Sequence, residues 1–275
     1  MARYGLASHV FVCRNEEYIV VLDVHRDRYF ALEAARTTAL MPLLPGWPAQ
    51  PERSGGNPEK RQRRDAGQPA ANEARAVPAQ FVSADAESAN AEPEIAAAEA
   101  AAPLLRQGWL LESPAPADAV KEAWPTAVRP SESELLTGLD AVQAPIGARA
   151  IIEFVRASLF ARFALRFWPF ERVIGRVRRR KAARAATSPP LDVARARELV
   201  DTFARLRVFL FSHRDKCLQD SLALLEFLAR YDIFPNWVFA VRARPFVAHC
   251  WVQHEDLVFN DTAEHVGSYT PIMVV

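Results

Sequence analysis

Cysteine is scarce in this chain. Only Cys13, Cys217 and Cys250 occur in 275 residues. They are too few and too scattered for a disulfide framework or a zinc site, and they fit a reducing, cytoplasmic setting. An excess of one charge is missing too. The net charge is +1, which argues against a role resting on the overall field. No long apolar run is free of charge. The most apolar stretch, Ile151 to Phe170, carries Arg156, Arg162 and Arg166, which exclude a comfortable membrane span. A core helix with snorkelling arginines is the plain reading, and a membrane-surface helix the alternative. The opening Met1-Ala2-Arg3-Tyr4-Gly5 lacks the charged-then-apolar pattern of a signal peptide.

Apolar residues make up 50% of the chain, enough for a sizeable core in one large or two small domains. The chemistry concentrates near the C-terminus. Leu218, Leu222, Leu225 and Ala229 recur at helical spacing, and so do Cys217, Ser221, Leu224 and Leu228. Two apolar stripes predict a helix buried on much of its circumference. Asp215 is a candidate N-cap, which puts Cys217 in the first turn. The unpaired N–H groups and positive dipole end there favour a thiolate, the form that attacks a carbonyl carbon. The same N–H groups suit a developing oxyanion. A lone buried cysteine is otherwise simply a small core residue.

Asn236 to Val241 reads as a strand, and Phe246 to Gln253 with Leu257 to Asp261 as a hairpin. Alternation puts Val247, His249 and Trp251 on one face. No glycine is available for a tight primed turn, so an odd, longer loop is expected, with His249 opposite Asp261. A two-residue loop would change every partner and bring Asn260 to His249 instead. Asp261 is therefore the first candidate to orient the imidazole and Asn260 the second. His213, His254 and His265 have weaker claims. Cys250 points away from His249 and reads as packing.

The order Cys-Leu-x-x-Ser-Leu from Cys217, Pro-Phe-x-Ala-His-x-Trp-Val from Pro245 and Val-x-Asn-Asp from Val258 resembles the B protein of lasso-peptide biosynthesis. That family is a transglutaminase-like cysteine peptidase that removes the leader from a ribosomally made precursor. The resemblance covers roughly 130–275 and is densest over 210–262. It implies an α+β fold in which a helical half packs on an antiparallel sheet. It also implies Cys217 as nucleophile, His249 as general base and acid, and Asp261 as orienter, with no metal and no cofactor. The implied partners are the precursor's leader and an asparagine-synthetase-like lasso cyclase, with no nucleic acid. Two departures stand out. Family members often carry Arg where this chain has Asp220, and Gly after the helix where it has Tyr231-Asp232.

The N-terminal part reads as a separate small unit. Val10 to Cys13, Tyr18 to Asp23 and Arg28 to Leu32 form three short strands, followed by a helix from Ala34 to Leu44 that ends at Pro45-Gly46. Residues 46–93 are dominated by Pro, Ala, Gly, Glu and Arg and read as a disordered insertion. An Ala-rich helix from Ile95 to Arg106 then stops at Gly108. Residues 113–130 read as a linker to a peptidase domain at 131–275. The pieces 1–45 and 94–112 resemble the winged-helix leader-recognition domain of peptide-modification systems. In it the third strand is an exposed edge to which a leader adds as a further strand, here along Arg28, Tyr29, Phe30, Ala31 and Leu32.

The basic runs Arg61 to Arg64 and Arg172 to Arg184 lack base-reading or stacking partners nearby and read as solvated or partner-facing. Three functions follow. The first is a cysteine peptidase that binds and cleaves off a lasso leader before ring closure. The second is its chemical sibling, acyl transfer of the transglutaminase type. The third is a non-catalytic peptide-binding scaffold.

Overall fold

The computed structural model describes residues 4–15, 18–33, 80–81, 93–112, 133–134, 145–185, 190–208, 217–242 and 245–275. The expected helix at 34–44, the linker at 113–130, His213 and the Asp215 cap lie outside them, as does almost all of the 46–93 insertion. In chain order the strands are β1 (Tyr4–Leu6), β2 (Val10–Asn15), β3 (Tyr18–Asp23), β4 (Arg28–Glu33) and β5 (Gln80–Phe81). Helix α1 (Pro93–Arg106), β6 (Leu110–Glu112) and β7 (Ser133–Glu134) follow. Four helices come next: α2 (Ala148–Phe167), α3 (Phe170–Ala185), α4 (Val193–Arg207) and α5 (Cys217–Leu228). The chain closes with β8 (Asn236–Arg242), β9 (Val247–His254), β10 (Leu257–Val258), the short α6 (Ala263–Val266) and β11 (Thr270–Val274). The architecture is α+β.

Helix α5 is the central rod. Every residue from Ser221 to Leu228 is buried, as its two apolar stripes require. Against it lies α2, whose buried face is Phe154, Ala157, Ser158, Ala161 and Ala164. Three alanines on that face let the two backbones approach closely. Ile152, Leu159, Phe163 and Phe167 of α2 point outward and are exposed. Among the described residues no helix is long and apolar enough to cross a membrane. After α5 the chain turns back through Asp232, at φ 58°. This is the left-handed conformation that favours Gly, and Asp is one of the few other residues that adopt it. The departure at 231–232 therefore keeps the turn.

The basic run lies on α3 and is largely used inside the molecule. Arg176 and Arg180 reach the buried Glu226 of α5 at 3.4 and 2.7 Å. Arg172 lies over the Trp168 ring and Arg178 over the Phe11 ring. Lys181 donates to Asn236 and to the Val275 carbonyl. Burial lowers the Lys181 pKa to about 8.

The main sheet has the order β11-β8-β9-β10-β7 and the N-terminal sheet β2-β3-β4-β5. Two findings differ from expectation. First, β4 is not the edge. Gln80 and Phe81 pair with it in parallel, Phe30 with Gln80 and Ala31 with Phe81. Second, the N-terminal sheet does not keep a core to itself. One face, with Val10, Val12, Ile19, Val21, Phe30 and Leu32, packs on Ala101, Leu104 and Trp109. The other, with Phe11, Cys13, Val20, Leu22 and Val24, joins the core built on α5 and the main sheet.

The two N-terminal pieces are tied to each other as well. β1 pairs with β6, and the Trp109 indole N–H donates to the buried Asp23 carboxylate at 2.9 Å. Gly108, at φ 71°, ends α1. Trp109 N–H bonds to Leu104 C=O and Gly108 N–H to Leu105 C=O, closing the helix with a left-handed glycine cap.

Candidate active site

Cys217 is the first residue of α5 and is partly buried. By helix geometry the N–H groups of that first turn have no partner within the helix, which suits them to an oxyanion on a carbonyl that the sulfur attacks. Helix α5 packs on β9, which carries His249. The imidazole is held on three sides: Trp251 stacks at 5.9 Å, Tyr269 lies at 5.2 Å and His265 meets it edge to face at 5.0 Å.

His249 Nε2 lies 2.5 Å from Asp261 Oδ2. The other ring nitrogen, Nδ1, is buried and has no hydrogen-bond partner. It is the nitrogen left for the thiol. Cys217 is close enough for thiol and imidazole to shift one another, although Nδ1 and the sulfur fall short of a formed hydrogen bond. Catalytic hydrogen bonds are often long before substrate binds.

The electrostatics favour an ion pair. The Cys217 pKa lies well below the ordinary thiol value. The largest cause is hydrogen bonding from the Cys250 thiol; burial opposes it and His249 adds to it. Burial alone would lower the His249 pKa, but Asp261 and then Cys217 reverse that and raise it to about 9. Burial likewise acts to raise Asp261, yet its two histidine partners bring its pKa below the usual carboxylate range. The thiolate–imidazolium form therefore occupies the interval from below the ordinary thiol value up to about pH 9.

This has a measurable result. A free thiol is only a fraction of a per cent ionised at pH 6. Cys217 is expected to react with iodoacetamide at pH 6 at least about tenfold faster than a free thiol, after allowing for the lower nucleophilicity of a low-pKa sulfur. A rate equal to that of free cysteine would show an unactivated thiol.

Asp261 meets His249, but not through the register expected. The hairpin loop is Glu255-Asp256, two residues, with Leu257 opposite His254 and Val258 opposite Gln253. Glu255 supplies the positive φ, 51°, that the absence of glycine seemed to forbid. The ladder ends at Val258, so Asp261 is not a strand partner of His249. It reaches the imidazole from the turn beyond.

Asn260 does something else. Its Oδ1 accepts from Val252 N–H at 2.8 Å, and its Nδ2 donates to Asp220 and Ser221 on α5 at 3.0 and 3.1 Å. It pins the helix to the sheet. Arg207 donates to the same Asp220 oxygen at 3.1 Å. Burial raises its pKa, with Arg207 opposing. The acid that stands where the family often has Arg thus belongs to this clamp.

Cys250 does more than pack. It is buried, its sulfur lies 4.0 Å from Ser221 Oγ, and its thiol supports the Cys217 thiolate. Alternation along β9 was the only available signal, and it placed Cys250 away from His249 without showing that α5 lies on that side. His265 was also underrated; its Nδ1 reaches the same Asp261 carboxylate.

Among the described residues His249, Asp261 and His265 form a group with ligand-type atoms within 4.8 Å of one another. Those atoms are hydrogen-bonded to each other, an arrangement for holding protons.

Of the expected leader-binding residues, Arg28 is exposed and Tyr29 half-buried, with its ring edge on Phe246 at 5.9 Å. Phe30, Ala31 and Leu32 are buried, Phe30 tilted on Trp109 at 4.5 Å. What β4 can offer a peptide is backbone, and Gln80–Phe81 pairs with it.

Searches against curated proteins and against solved structures each found no match. Residues 157–274 match the family model described as Transglutaminase-like superfamily, a group of cysteine peptidases and acyl transferases. The matched segment begins inside α2 and ends with β11, and it contains Cys217, His249 and Asp261. Residues 157–274 form a transglutaminase-like domain.

Proposed function

We propose that this protein is a cysteine peptidase that removes the leader from a ribosomally made lasso-peptide precursor. The observation that carries the chemistry is the convergence of Cys217 at the start of α5, His249 on β9 and Asp261 in the turn after β10, with His249 Nε2 committed to the carboxylate and the buried Nδ1 left without a partner. Cys217 Sγ attacks the carbonyl carbon at the leader–core junction. The C–N bond breaks as His249 passes its proton to the leaving amine, and the leader is left as a thioester on sulfur. Water, deprotonated by His249, then attacks the thioester, releasing a leader carboxylate and returning the proton to the catalytic pair. The freed core amine becomes the substrate of a separate asparagine-synthetase-like cyclase.

Leader capture is assigned to the β4 backbone by strand addition in the place that Gln80–Phe81 takes. Support comes from the position of that strand: Tyr29 leans on Phe246, just ahead of the strand that carries His249. Pairing by Gln80–Phe81 makes that stretch an internal competitor for the same edge.

The experiment is incubation with a synthetic lasso-type precursor peptide of leader plus core, read by mass spectrometry, with leader affinity measured by fluorescence anisotropy. Free leader and free core are the expected products. Leader joined to an added amine would identify a transferase. Replacing Gln80 and Phe81 together by proline removes two strand N–H groups and is expected to tighten leader binding by roughly threefold to tenfold, equivalent to about 1 kcal/mol for the pairing displaced. Unchanged affinity would place the leader elsewhere. Proline at Phe30 is the poorer probe, because that ring is buried on Trp109 and its loss would disturb the core.

A further inference from the structure

Asp261 receives two histidines. His249 Nε2 approaches Oδ2 at 2.5 Å. His265 Nδ1 lies 2.9 Å from Oδ1 and 3.0 Å from Oδ2. The Thr262 N–H also donates to Oδ1, at 2.7 Å. The carboxylate is therefore held on every side. This matters because Asp261 sits past the end of β10, where no ladder hydrogen bond fixes it, and the terminal torsion of an aspartate is soft. A lone Asp–His bond in such a place would leave the imidazole free to swing with its acceptor.

His265 is itself well anchored. Thr262 caps α6 by accepting the His265 N–H on its hydroxyl at 3.2 Å. The imidazole of His265 sits edge-on to Tyr269 at 5.3 Å, and its Nε2 lies 3.5 Å from the Tyr269 hydroxyl. Tyr269 in turn lies under the Arg242 guanidinium at 5.4 Å. The charged and titratable groups that these contacts bring around His265 are Asp261, His249, Tyr269 and, behind the tyrosine, Arg242.

We propose that His265 is a positioning residue for the catalytic pair: its ring, donating Nδ1–H to the Asp261 carboxylate, fixes the plane in which Oδ2 meets His249 Nε2. The assignment rests on the reading of Cys217, His249 and Asp261 as the reacting triad. His265 touches neither the thiol nor the peptide bond; it acts through Asp261, and its edge contact with the His249 ring is one that a phenyl ring can also make. Its removal should lower turnover and leave substrate binding alone. It should also loosen the support of the His249 imidazolium, so that the Cys217 thiolate forms at higher pH.

The test compares His265→Phe, which fills the space but cannot donate, with His265→Asn, whose amide N–H₂ sits near the place of Nδ1. Thermal unfolding shows which variants keep the fold, and two readouts follow. One is kcat and KM for precursor cleavage. The other is the pH dependence of Cys217 alkylation by iodoacetamide, which needs no peptide substrate. For His265→Phe we expect kcat about tenfold or more below wild type with KM unchanged, as for a misplaced catalytic group, and the alkylation midpoint displaced upward. His265→Asn should recover most of both.

Wild-type kcat and an unmoved midpoint in His265→Phe would overturn the proposal. So would equal losses in the two variants, which would mark His265 as a structural cap of α6. Should His265→Phe fail to fold, His265→Asn decides alone: a midpoint and kcat near wild type support a donor role, and a loss of the size expected for His265→Phe refutes it. A wild-type Cys217 that titrates like a free thiol would remove the triad reading and this proposal with it. Normal wild-type activation left unaltered by the substitutions removes this proposal alone.

Discussion

Cys217→Ala is expected to abolish precursor cleavage, with a loss on the order of 10⁴-fold or greater, because the thioester cannot form without sulfur. His249→Ala should do nearly the same, since residues of one reacting unit are not additive. The fold should survive in Cys217→Ala. The thiol is small and only partly buried, so its deletion removes little packing. Intact circular dichroism with no product by mass spectrometry is the expected pair of results. Cleavage that persists in Cys217→Ala would move the chemistry to another residue.

The second large effect separates two neighbours. Asp261→Asn preserves shape but replaces an anion by an amide. The imidazolium loses its counter-charge, and the tautomer that turns Nδ1 toward the thiol is no longer enforced. A fall in kcat of roughly 10³- to 10⁴-fold is expected by analogy with the same change in serine protease triads. The pH dependence should move as well. The His249 pKa stands at about 9 because Asp261 and Cys217 stabilise its cation. Without the carboxylate it falls, so the alkaline limb of the rate profile shifts toward neutrality.

The sign holds for stability too. A histidine raised in the folded state contributes stability fully below its unfolded pKa of 6.5 and loses it as pH rises through about 9. Asn260→Ala should behave differently. It leaves Val252 N–H without its partner, takes one bond each from Asp220 and Ser221, and is expected to cost about 1–3 kcal/mol of stability. Cleavage per folded molecule should drop far less than in Asp261→Asn. If the two variants exchange these phenotypes, Asn260 is the orienter.

Much of the fold was readable because each element repeats its own period. The two stripes from Cys217 to Leu228 call for a helix buried on much of its circumference, and α5 is buried from Ser221 to Leu228. Gly108 announced the end of α1 and takes the left-handed conformation. Two things resisted for identifiable reasons. The hairpin loop was misjudged because turn rules assign positive φ to glycine or asparagine, whereas here Glu255 adopts it. Gln80–Phe81 left no signal, since a two-residue strand has no period and lies among residues of loop-like composition.

One sign of the shared core is present in the sequence. Val10-Phe11-Val12-Cys13 and Ile19-Val20-Val21-Leu22 are unbroken apolar runs, the pattern of strands covered on both faces. They were assigned to a self-standing unit, which would have needed only one apolar face. The second face is what joins them to α5. His265 could be found from sequence only by knowing that the chain leaves its ladder at Val258, since that departure is what turns His265 back toward Asp261.

That doubly covered sheet limits how such a protein can be rearranged. Were residues 1–33 cut away, the transglutaminase-like segment would lose Phe11, Val20 and Leu22 from its interior and expose their apolar neighbours to water. Were a foreign recognition module grafted in their place, its inward side chains would have to match a surface shaped for these ones, to the tolerance of a packed interior. The two halves are therefore not interchangeable parts, and any ancestor that acquired or exchanged the N-terminal piece had to remodel the wall it leans on.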